Sequence, residues 1–302
     1  MARILGCLLV ALGLLATSTA SLGGESTKLR HLLSIYSDEK GGAIQLPEGV
    51  ACNDKSMVVV GDTGNSRLLR YTVQEKDVKS AGEVRAAQLS SPIRIQMNSR
   101  SEIFVLDGKQ RRVLRFGANG EFKNTVSFEG VPAPSGIVPR SFKIDHSDNL
   151  YVLDVFSARV VVTNPEGKYQ RHLNFPKEFG FLSDLAVDSR GAIYVVDSVS
   201  AMIHWAAKDA NSFSPLTKSL REYLSFPTYL AIDSRGVLYV VDADDGGIVI
   251  LGQDGSYLGR QLSLGWNEGL LRSPSQICVT ENGEMFIADR GNSRVQLFTI
   301  VK

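Results

Sequence analysis

The chain has 302 residues, of which 43% are hydrophobic and 22% charged, a composition that allows a sizeable core and excludes a mostly disordered chain. It carries 33 basic and 32 acidic residues, a balance that argues against a dedicated nucleic-acid surface, which needs a concentrated basic face. Frequent glycine and short runs of Val, Ile, Tyr and Phe favour β-structure with many turns.

The first 20 residues are predicted to be a signal peptide. A single basic residue, Arg3, precedes an uncharged and mostly apolar run over residues 4–16, and small residues at 18–20 provide a cleavage site. The run is shorter than the ~20 apolar residues of a membrane-spanning helix, and no second run of this kind follows. We therefore expect an exported protein, periplasmic or extracellular, with no integral membrane span after processing. A retained membrane anchor is the alternative.

Residues 21–46 form an N-terminal segment ahead of the main body of the chain. Its apolar stretch, "LRHLLSIY" at 29–36, is predicted to be a β-strand. This strand precedes the first of the repeated units that follow, so its partner has to come from elsewhere in the chain.

From residue 47 to residue 302 one unit occurs six times. Each copy contains an apolar run that ends in aspartate, as in "VVVGD", "LYVVD" and "MFIAD". Successive aspartates are 45, 47, 43, 45 and 47 residues apart, a regularity that indicates a repeat architecture. The six are Asp62, Asp107, Asp154, Asp197, Asp242 and Asp289.

Each copy has room for four antiparallel strands. A short strand, a polar turn such as "DSRG", the strand that ends in aspartate, a second turn, a third strand and a less regular fourth strand follow one another. Four strands in about 45 residues is the size of one propeller blade. We therefore predict an all-β fold, a six-bladed β-propeller, whose blades bury their faces against one another.

The sixth copy is incomplete. After Asp289 only thirteen residues remain, enough for a third strand but not for a fourth. We predict that residues 29–36 supply the missing outer strand of the last blade, which would close the ring and cover its edge.

The first and last copies share a fuller motif, "TGNSRLLRY" and "RGNSRVQLF". With this motif, residues 47–300 resemble the NHL-repeat family of six-bladed propellers. The resemblance implies a ring with an interaction surface. It does not imply a reaction, because the family contains binding modules and a few enzymes.

The six aspartates are expected to be structural. They lie around a wide ring, one per blade, whereas metal ligands must converge within ~2–2.6 Å of one ion. Each is expected to accept hydrogen bonds from backbone N–H groups of the next turn. In four blades it can also meet an arginine five residues later, with a small stabilisation if the pair is exposed.

No metal or other cofactor is predicted. The four histidines fall outside the first strands, which are expected to line the channel, so a zinc site of the kind found in related lyases is disfavoured. Calcium in the channel, as the resemblance to lactonase-like propellers would imply, is the other alternative. The histidines are His31, His146, His172 and His204.

The copies differ where the first strands begin. Six unlike residues there are predicted to ring one end of the central channel and form a recognition site, or else to solvate a water-filled channel. Gly49 is one of the six, and the predicted ligand contacts are Arg94, Ser141, Asp184, Tyr229 and Gln276. On a loop tip of the same face, Phe156 is either a partner contact or half-buried.

Two cysteines remain after processing, Cys52 and Cys278, on the first strands of the first and last blades. Aligned on the aspartates they are one position out of phase, so we expect them to point to opposite sheet faces and to be buried free thiols. Export would permit a disulfide chemically.

These observations together predict a non-catalytic, exported binding scaffold. Its partner would be a protein, peptide or glycan bound at the loop face around the channel mouth. The first alternative is a metal-dependent propeller enzyme, of the lyase or lactonase type, with its site in the central channel. The second is a subunit of a larger assembly with no small ligand.

Overall fold

The computed structural model describes residues 27–301, so the predicted signal peptide lies outside the described residues. The described chain forms six four-stranded antiparallel sheets, which are the six predicted blades. None of its helices is long and apolar enough to cross a membrane.

The strands are numbered in chain order, starting with β1 (Lys28–Ile35). Blade 1 contains β2 (Gly49–Cys52), β3 (Met57–Asp62), β4 (Arg67–Gln74) and β5 (Asp77–Val84). Blade 2 contains β6 (Pro92–Met97), β7 (Ile103–Asp107), β8 (Arg112–Phe116) and β9 (Phe122–Thr125). Blade 3 contains β10 (Pro139–Ile144), β11 (Leu150–Asp154), β12 (Arg159–Thr163) and β13 (Tyr169–Asn174).

Blade 4 contains β14 (Leu182–Val187), β15 (Ile193–Asp197), β16 (Met202–Ala206) and the very short β17 (Ser214–Pro215). Blade 5 contains β18 (Pro227–Ile232), β19 (Leu238–Asp242), β20 (Gly247–Leu251) and β21 (Tyr257–Gln261). Blade 6 contains β22 (Pro274–Val279), β23 (Glu284–Asp289) and β24 (Arg294–Val301), and its outer strand is β1. The first strand of each blade contacts the first strands of its neighbours, so these six strands surround the central channel.

The N-terminal strand closes the ring, as predicted. β1 pairs antiparallel with β24, from Lys28 opposite Val301 to Ile35 opposite Val295. The last copy is therefore completed by the start of the chain, and the edge of β24 is covered.

The core lies between the blades rather than within any one of them. The second strand of each blade is the clearest example, because all five residues of β15 are buried, on both faces of the sheet. Both faces are apolar because each packs against a neighbouring blade, which explains why the second strands show little alternation between apolar and polar residues.

Cys52 and Cys278 form a disulfide, with their Cα atoms 5.8 Å apart. The prediction of two free thiols was wrong. The cysteines do point to opposite faces of their own blades, but opposite faces of adjacent blades are the ones that meet in a ring. Both lie against the same apolar cluster between blades 6 and 1, and the bridge joins these two blades.

The repeated aspartates fasten the segments that lead into each blade. Asp62 accepts a hydrogen bond from the backbone N–H of Gln45, and Asp289 accepts one from Arg272, in each case from a residue 17 positions earlier. Asp107, Asp154 and Asp197 also accept hydrogen bonds from backbone N–H groups of the turns that follow them. Among residues 27–301 no such bond reaches Asp62, Asp242 or Asp289, so the prediction was wrong for these three. Each of the six carboxylates accepts a hydrogen bond from a backbone N–H of the linker before its blade, and all six are fully buried.

The arginine partners follow the prediction in three of the four blades. Asp62–Arg67, Asp154–Arg159 and Asp289–Arg294 form, and all three pairs are buried. The fourth pair does not form, because among residues 27–301 no arginine pairs with Asp107, whose oxygens are occupied by hydroxyl and backbone N–H groups. In each pair the guanidinium also donates to backbone carbonyls of the linker, as Arg294 does to Asn267 and Leu270.

Candidate functional site

The propeller has two faces of different construction. The loop face carries the loops between second and third strands and the linkers that enter each blade. The turn face carries the six turns between first and second strands. Because strands alternate in direction, the beginning of each first strand lies on the loop-face side, as the pairing of Pro92 with Asp107 shows.

The predicted channel residues do come together, but they bind one another. Ser141 donates a short hydrogen bond to Asp184, the Lys143 ammonium donates to the other oxygen of Asp184 at 3.1 Å, and the backbone N–H of Leu230 donates to that oxygen at 2.9 Å. The Lys143 ammonium also lies 3.6 Å from the centre of the Tyr229 ring, across the channel. This network joins blades 3, 4 and 5 at the axis.

Gln276 makes a second bridge across the axis. Its side-chain amide donates to the carbonyl of Ile95 at 2.6 Å and its oxygen accepts the Ile95 N–H at 2.9 Å, so blade 6 is joined to blade 2. Blade 1 lies between them and presents Gly49, where a Cβ atom would come within 2.7 Å of the Ile95 side chain. The glycine is therefore needed for this close approach.

Arg94 is the predicted contact that stays partly accessible. It donates to Ser275 at 3.1 Å and lies over the Tyr229 ring. Ser141, Asp184, Tyr229 and Gln276 are buried beneath the channel mouth, and their contact with a ligand stays a prediction.

Below this network, toward the turn face, the channel contains a pocket of about 190 Å³. It is lined by the ends of the six first strands, including Lys143, Tyr229 and the disulfide. Lys143 was missed by the sequence reasoning. The signal was available, because it lies two residues after Ser141 on the same strand and so points the same way.

The channel residues do not fit a divalent cation. Both oxygens of Asp184 are occupied, and the ammonium of Lys143 lies beside them. Within residues 27–301 no three His, Cys, Asp or Glu side chains gather in a way that could hold a metal ion. His31 and His172 lie on outer strands, His146 lies in a turn, and His204 lies on the third strand of blade 4.

The loop face carries most of the exposed apolar side chains. Of thirteen large hydrophobic residues exposed in the described chain, nine lie on this face, and Trp266 and Phe156 are the most exposed, at 72% and 62%. The other seven of the nine are Tyr36, Leu46, Val155, Phe179, Val199, Phe226 and Leu264.

Arginines lie among these apolar groups. The Arg140 guanidinium lies 4.3 Å from the centre of the Phe181 ring, and that of Arg272 lies 5.5 Å from the centre of the Trp266 ring. Burial, together with the positive charges of Arg111 and Arg94, lowers the pKa of Arg140. Among residues 27–301 no acidic side chain forms an ion pair with Arg94, Arg111 or Arg140, so the mouth beside blades 2 and 3 is electropositive.

The turn face is built differently. Its six turns contain polar and small residues, and no large exposed hydrophobic residue lies in them. Asp145, Asp188 and Asp233 each accept backbone N–H groups two and four residues ahead, which fixes the turns locally. This face is therefore a solvated surface with tightly built turns.

Comparison with known proteins supports the fold. No family model matches the chain, and no curated protein sequence matches it. Among solved structures it is similar to a gluconolactonase from Xanthomonas campestris, with a TM-score of 0.66, 13% identity and coverage of 92% of this chain and 96% of that one.

Two further structures show the same architecture. Virginiamycin B lyase from Staphylococcus aureus has a TM-score of 0.62 at 12% identity and covers 91% of this chain and 100% of its own. A chain of the nidogen–laminin complex has a TM-score of 0.59 at 15% identity and covers 78% and 92%. At such identities these likenesses establish the fold, a six-bladed β-propeller, and no activity.

Proposed function

We propose that this protein is a rigid binding scaffold that holds a partner protein against its loop face. The observation that carries the proposal is the concentration of exposed apolar side chains on this one face. A closed ring presents its loops already ordered, so that little conformational entropy is lost when a partner binds.

The residues of the loop face favour a protein over a glycan. Protein interfaces are enriched in aromatic residues and arginine, and Phe156, Phe226, Trp266, Arg140 and Arg272 supply both. The positive mouth beside blades 2 and 3 favours a partner whose contact surface combines apolar and acidic groups.

Site-specific photocrosslinking in the native host tests this proposal. A photoreactive amino acid is placed at Phe156, Val199 or Trp266 on the loop face, and the matched controls carry it at His146 or Arg190 on the turn face. We expect a discrete crosslinked species from the loop-face positions and none from the controls. Adding Phe156→Ser to the Trp266 probe should weaken that crosslink at least fivefold.

Two results would contradict a loop-face partner. One is equal crosslinking from the two faces, and the other is no crosslink from any loop-face position in the native host. Thermal unfolding of the Phe156→Ser protein provides the control for folding, because such an exposed side chain contributes little to stability.

The solved neighbours favour a second candidate, an enzyme that acts in the central channel. Two of them are named as a gluconolactonase and a lyase. In this chain the pocket of about 190 Å³ beside the buried Lys143–Asp184 pair is where such chemistry would take place. The donor set does not fit a metal, so any such reaction would rest on the lysine and its neighbours.

Activity assays separate the two candidates. Purified protein is tested against a panel of sugar lactones with and without added Ca²⁺ or Zn²⁺, and its metal content is measured. Turnover that is lost in Lys143→Met, while the variant remains folded, would establish the enzyme and displace the scaffold as the main function.

We also propose that the protein is exported and that it is an NHL-type propeller. Support for export comes from the apolar N-terminal run and from a disulfide, which persists in oxidising compartments. The "GNSR" motif of blades 1 and 6 supports the NHL assignment. The N-terminal sequence of the mature protein and cell fractionation would test export.

A further inference from the structure

A second cavity lies off the axis, between blades 3 and 4 at the outer edge of the ring. Its volume is about 1,000 Å³, against about 190 Å³ in the channel. It is open because β17 has two residues, whereas the outer strands of the other blades have four to eight. The short outer strand leaves the blade 3 side of β16 uncovered.

The lining of this cleft is mainly apolar. Its walls come from the linker between blades 3 and 4 and from the segment that precedes β17, and the Phe175 and Phe179 rings meet edge to face at 5.4 Å. The volume and the apolar lining are those of a small-molecule site. The apolar lining residues are Phe175, Pro176, Phe179, Met202, Phe213 and Pro215.

One polar side chain in this lining has no partner. His204 is 5% exposed, and its buried Nδ1 atom has no hydrogen-bond partner among residues 27–301. It points toward blade 3, because its neighbour Ile203 packs the other way, into the cluster shared with blade 5. Burial lowers the pKa of His204 and outweighs the opposite effect of Asp197, so the imidazole is neutral at pH 7.

In the described chain, the cleft contains one further unpartnered polar group and one that is fully hydrogen bonded. The hydroxyl of Ser200 is also buried and lacks a partner among the described residues. Asp197 is already saturated by the backbone N–H groups of Gly180, Phe181, Val199 and Ser200. A buried polar atom without a partner costs ~1–3 kcal/mol, which a suitable ligand group would recover.

We propose that this cleft binds a small, neutral, ring-containing molecule with a hydroxyl group, a phenol-like compound whose hydroxyl bonds to His204. The ring of the ligand packs on Phe175 and Phe179, and the hydroxyl satisfies the imidazole. Of the charged residues in the lining, Asp197 is already saturated, and Lys177 and Glu178 are exposed and of opposite sign. This site borders the loop face, because Phe179 and the linker into blade 4 belong to both, and it shares no lining residue with the channel pocket.

Binding of 4-methylphenol, with toluene as the matched ligand lacking the hydroxyl, tests this inference. NMR spectra of protein with labelled histidine should show saturable shifts of His204 with 4-methylphenol. His204→Phe should weaken 4-methylphenol binding at least tenfold and change toluene binding less than twofold. His172→Phe is the control variant, because His172 lies on the outer strand of blade 3 and bonds with Tyr169.

Three outcomes would overturn the proposal. The first is no saturable binding of 4-methylphenol at millimolar concentration. The second is equal weakening in the two histidine variants, and the third is a ligand-soaked crystal structure with only water on His204. His204→Gln, which keeps a hydrogen-bonding group, guards against loss of fold and should retain part of the affinity. Crosslinks from Phe156 and Trp266, which do not line the cleft, do not depend on this result.

Discussion

The junction between blades 6 and 1 is tightly closed, whereas the junction between blades 3 and 4 is open at its outer edge. The first has an eight-residue outer strand and a disulfide. The second has a two-residue outer strand and an open cleft. Both junctions have an apolar core between their blades, so they differ in the outer strand and the disulfide and not in the core.

The difference follows from connectivity. The linker of the chain joins blade 3 to blade 4 covalently, so this junction stays together even where packing is incomplete. Blades 6 and 1 are the two ends of the repeat series and would separate first. The closing strand and the disulfide therefore stabilise the whole ring. The open cleft lies at a junction that the linker already holds together.

Removing the closing strand should have the largest effect. Deletion of residues 27–36 exposes the edge of β24 and the apolar surface under Leu33 and Ile35, and we expect a loss of ~5 kcal/mol or more in the free energy of unfolding. Denaturant unfolding measures it. Replacing Ser214 and Pro215 at the outer edge of blade 4 by glycine and serine is the control and should cost less than ~1 kcal/mol. Equal losses of stability in the deletion and in the control would show that the two junctions do not differ.

The disulfide should come next. It closes a loop with a sequence separation of 226 residues, so Cys52→Ala with Cys278→Ala should lower the free energy of unfolding by about 2–5 kcal/mol. Reductant should destabilise the wild-type protein and leave the double variant unchanged. A wild-type mass that is the same before and after reduction would show that the bridge is absent.

Equivalent buried ion pairs in blades 6 and 3 can be compared by their contribution to the free energy of unfolding. Arg294→Leu leaves Asp289 buried without its cation and should cost about 3 kcal/mol. Arg159→Leu in blade 3 should cost less, because its Nε lies 3.3 Å from Asp154 instead of 2.8 Å, and because Arg294 alone of the two also donates to Tyr36 beyond the closing strand. If calorimetry shows a larger loss of stability for Arg159→Leu than for Arg294→Leu, the conclusion that blade 6 is held more strongly is wrong.

Acid sensitivity should arise away from both junctions, at Glu102 in blade 2. Burial opposes its ionisation, but hydrogen bonds from Lys123, Arg115 and Asn98 outweigh burial and lower the pKa of Glu102 to about 2 from a usual 4.5. This stabilisation is present above pH 4.5 and is lost as the pH falls toward 2. Glu102→Gln should remove of order 2 kcal/mol of that pH dependence in unfolding experiments from pH 7 to 2. An unchanged pH profile would refute it.

Changes in the cleft should have the smallest effect on stability. Phe179 is 44% exposed, so Phe179→Ser should change the free energy of unfolding by less than ~0.5 kcal/mol while weakening 4-methylphenol binding. A large loss of stability would mean that the wall of the cleft is part of the core.

Much of the architecture follows from local pattern. The aspartate period, the Gly and Asp turns and the apolar runs each lie within one blade, and so does the deficit of one strand after Asp289. The unlike residues at the start of the first strands, such as Arg94 and Asp184, could also be placed beside the channel from their position in the repeat alone.

Contacts between residues of different blades could not be predicted from the local sequence pattern. Asp184 appeared as a free polar group at the mouth, but in the structure it is saturated by blades 3 and 5. The cleft at His204 has no motif, because it arises from a short strand in one blade and a linker from another.

The sequence by itself determined the number of blades, their strand order and the closure of the ring, because hydrogen bonding along a blade depends on short-range periodicity. Only the tertiary structure decided the Cys52–Cys278 bridge, the saturated network at the axis and the open cleft between blades 3 and 4. These features depend on which faces of neighbouring blades meet, and that relation exists only once the ring has closed.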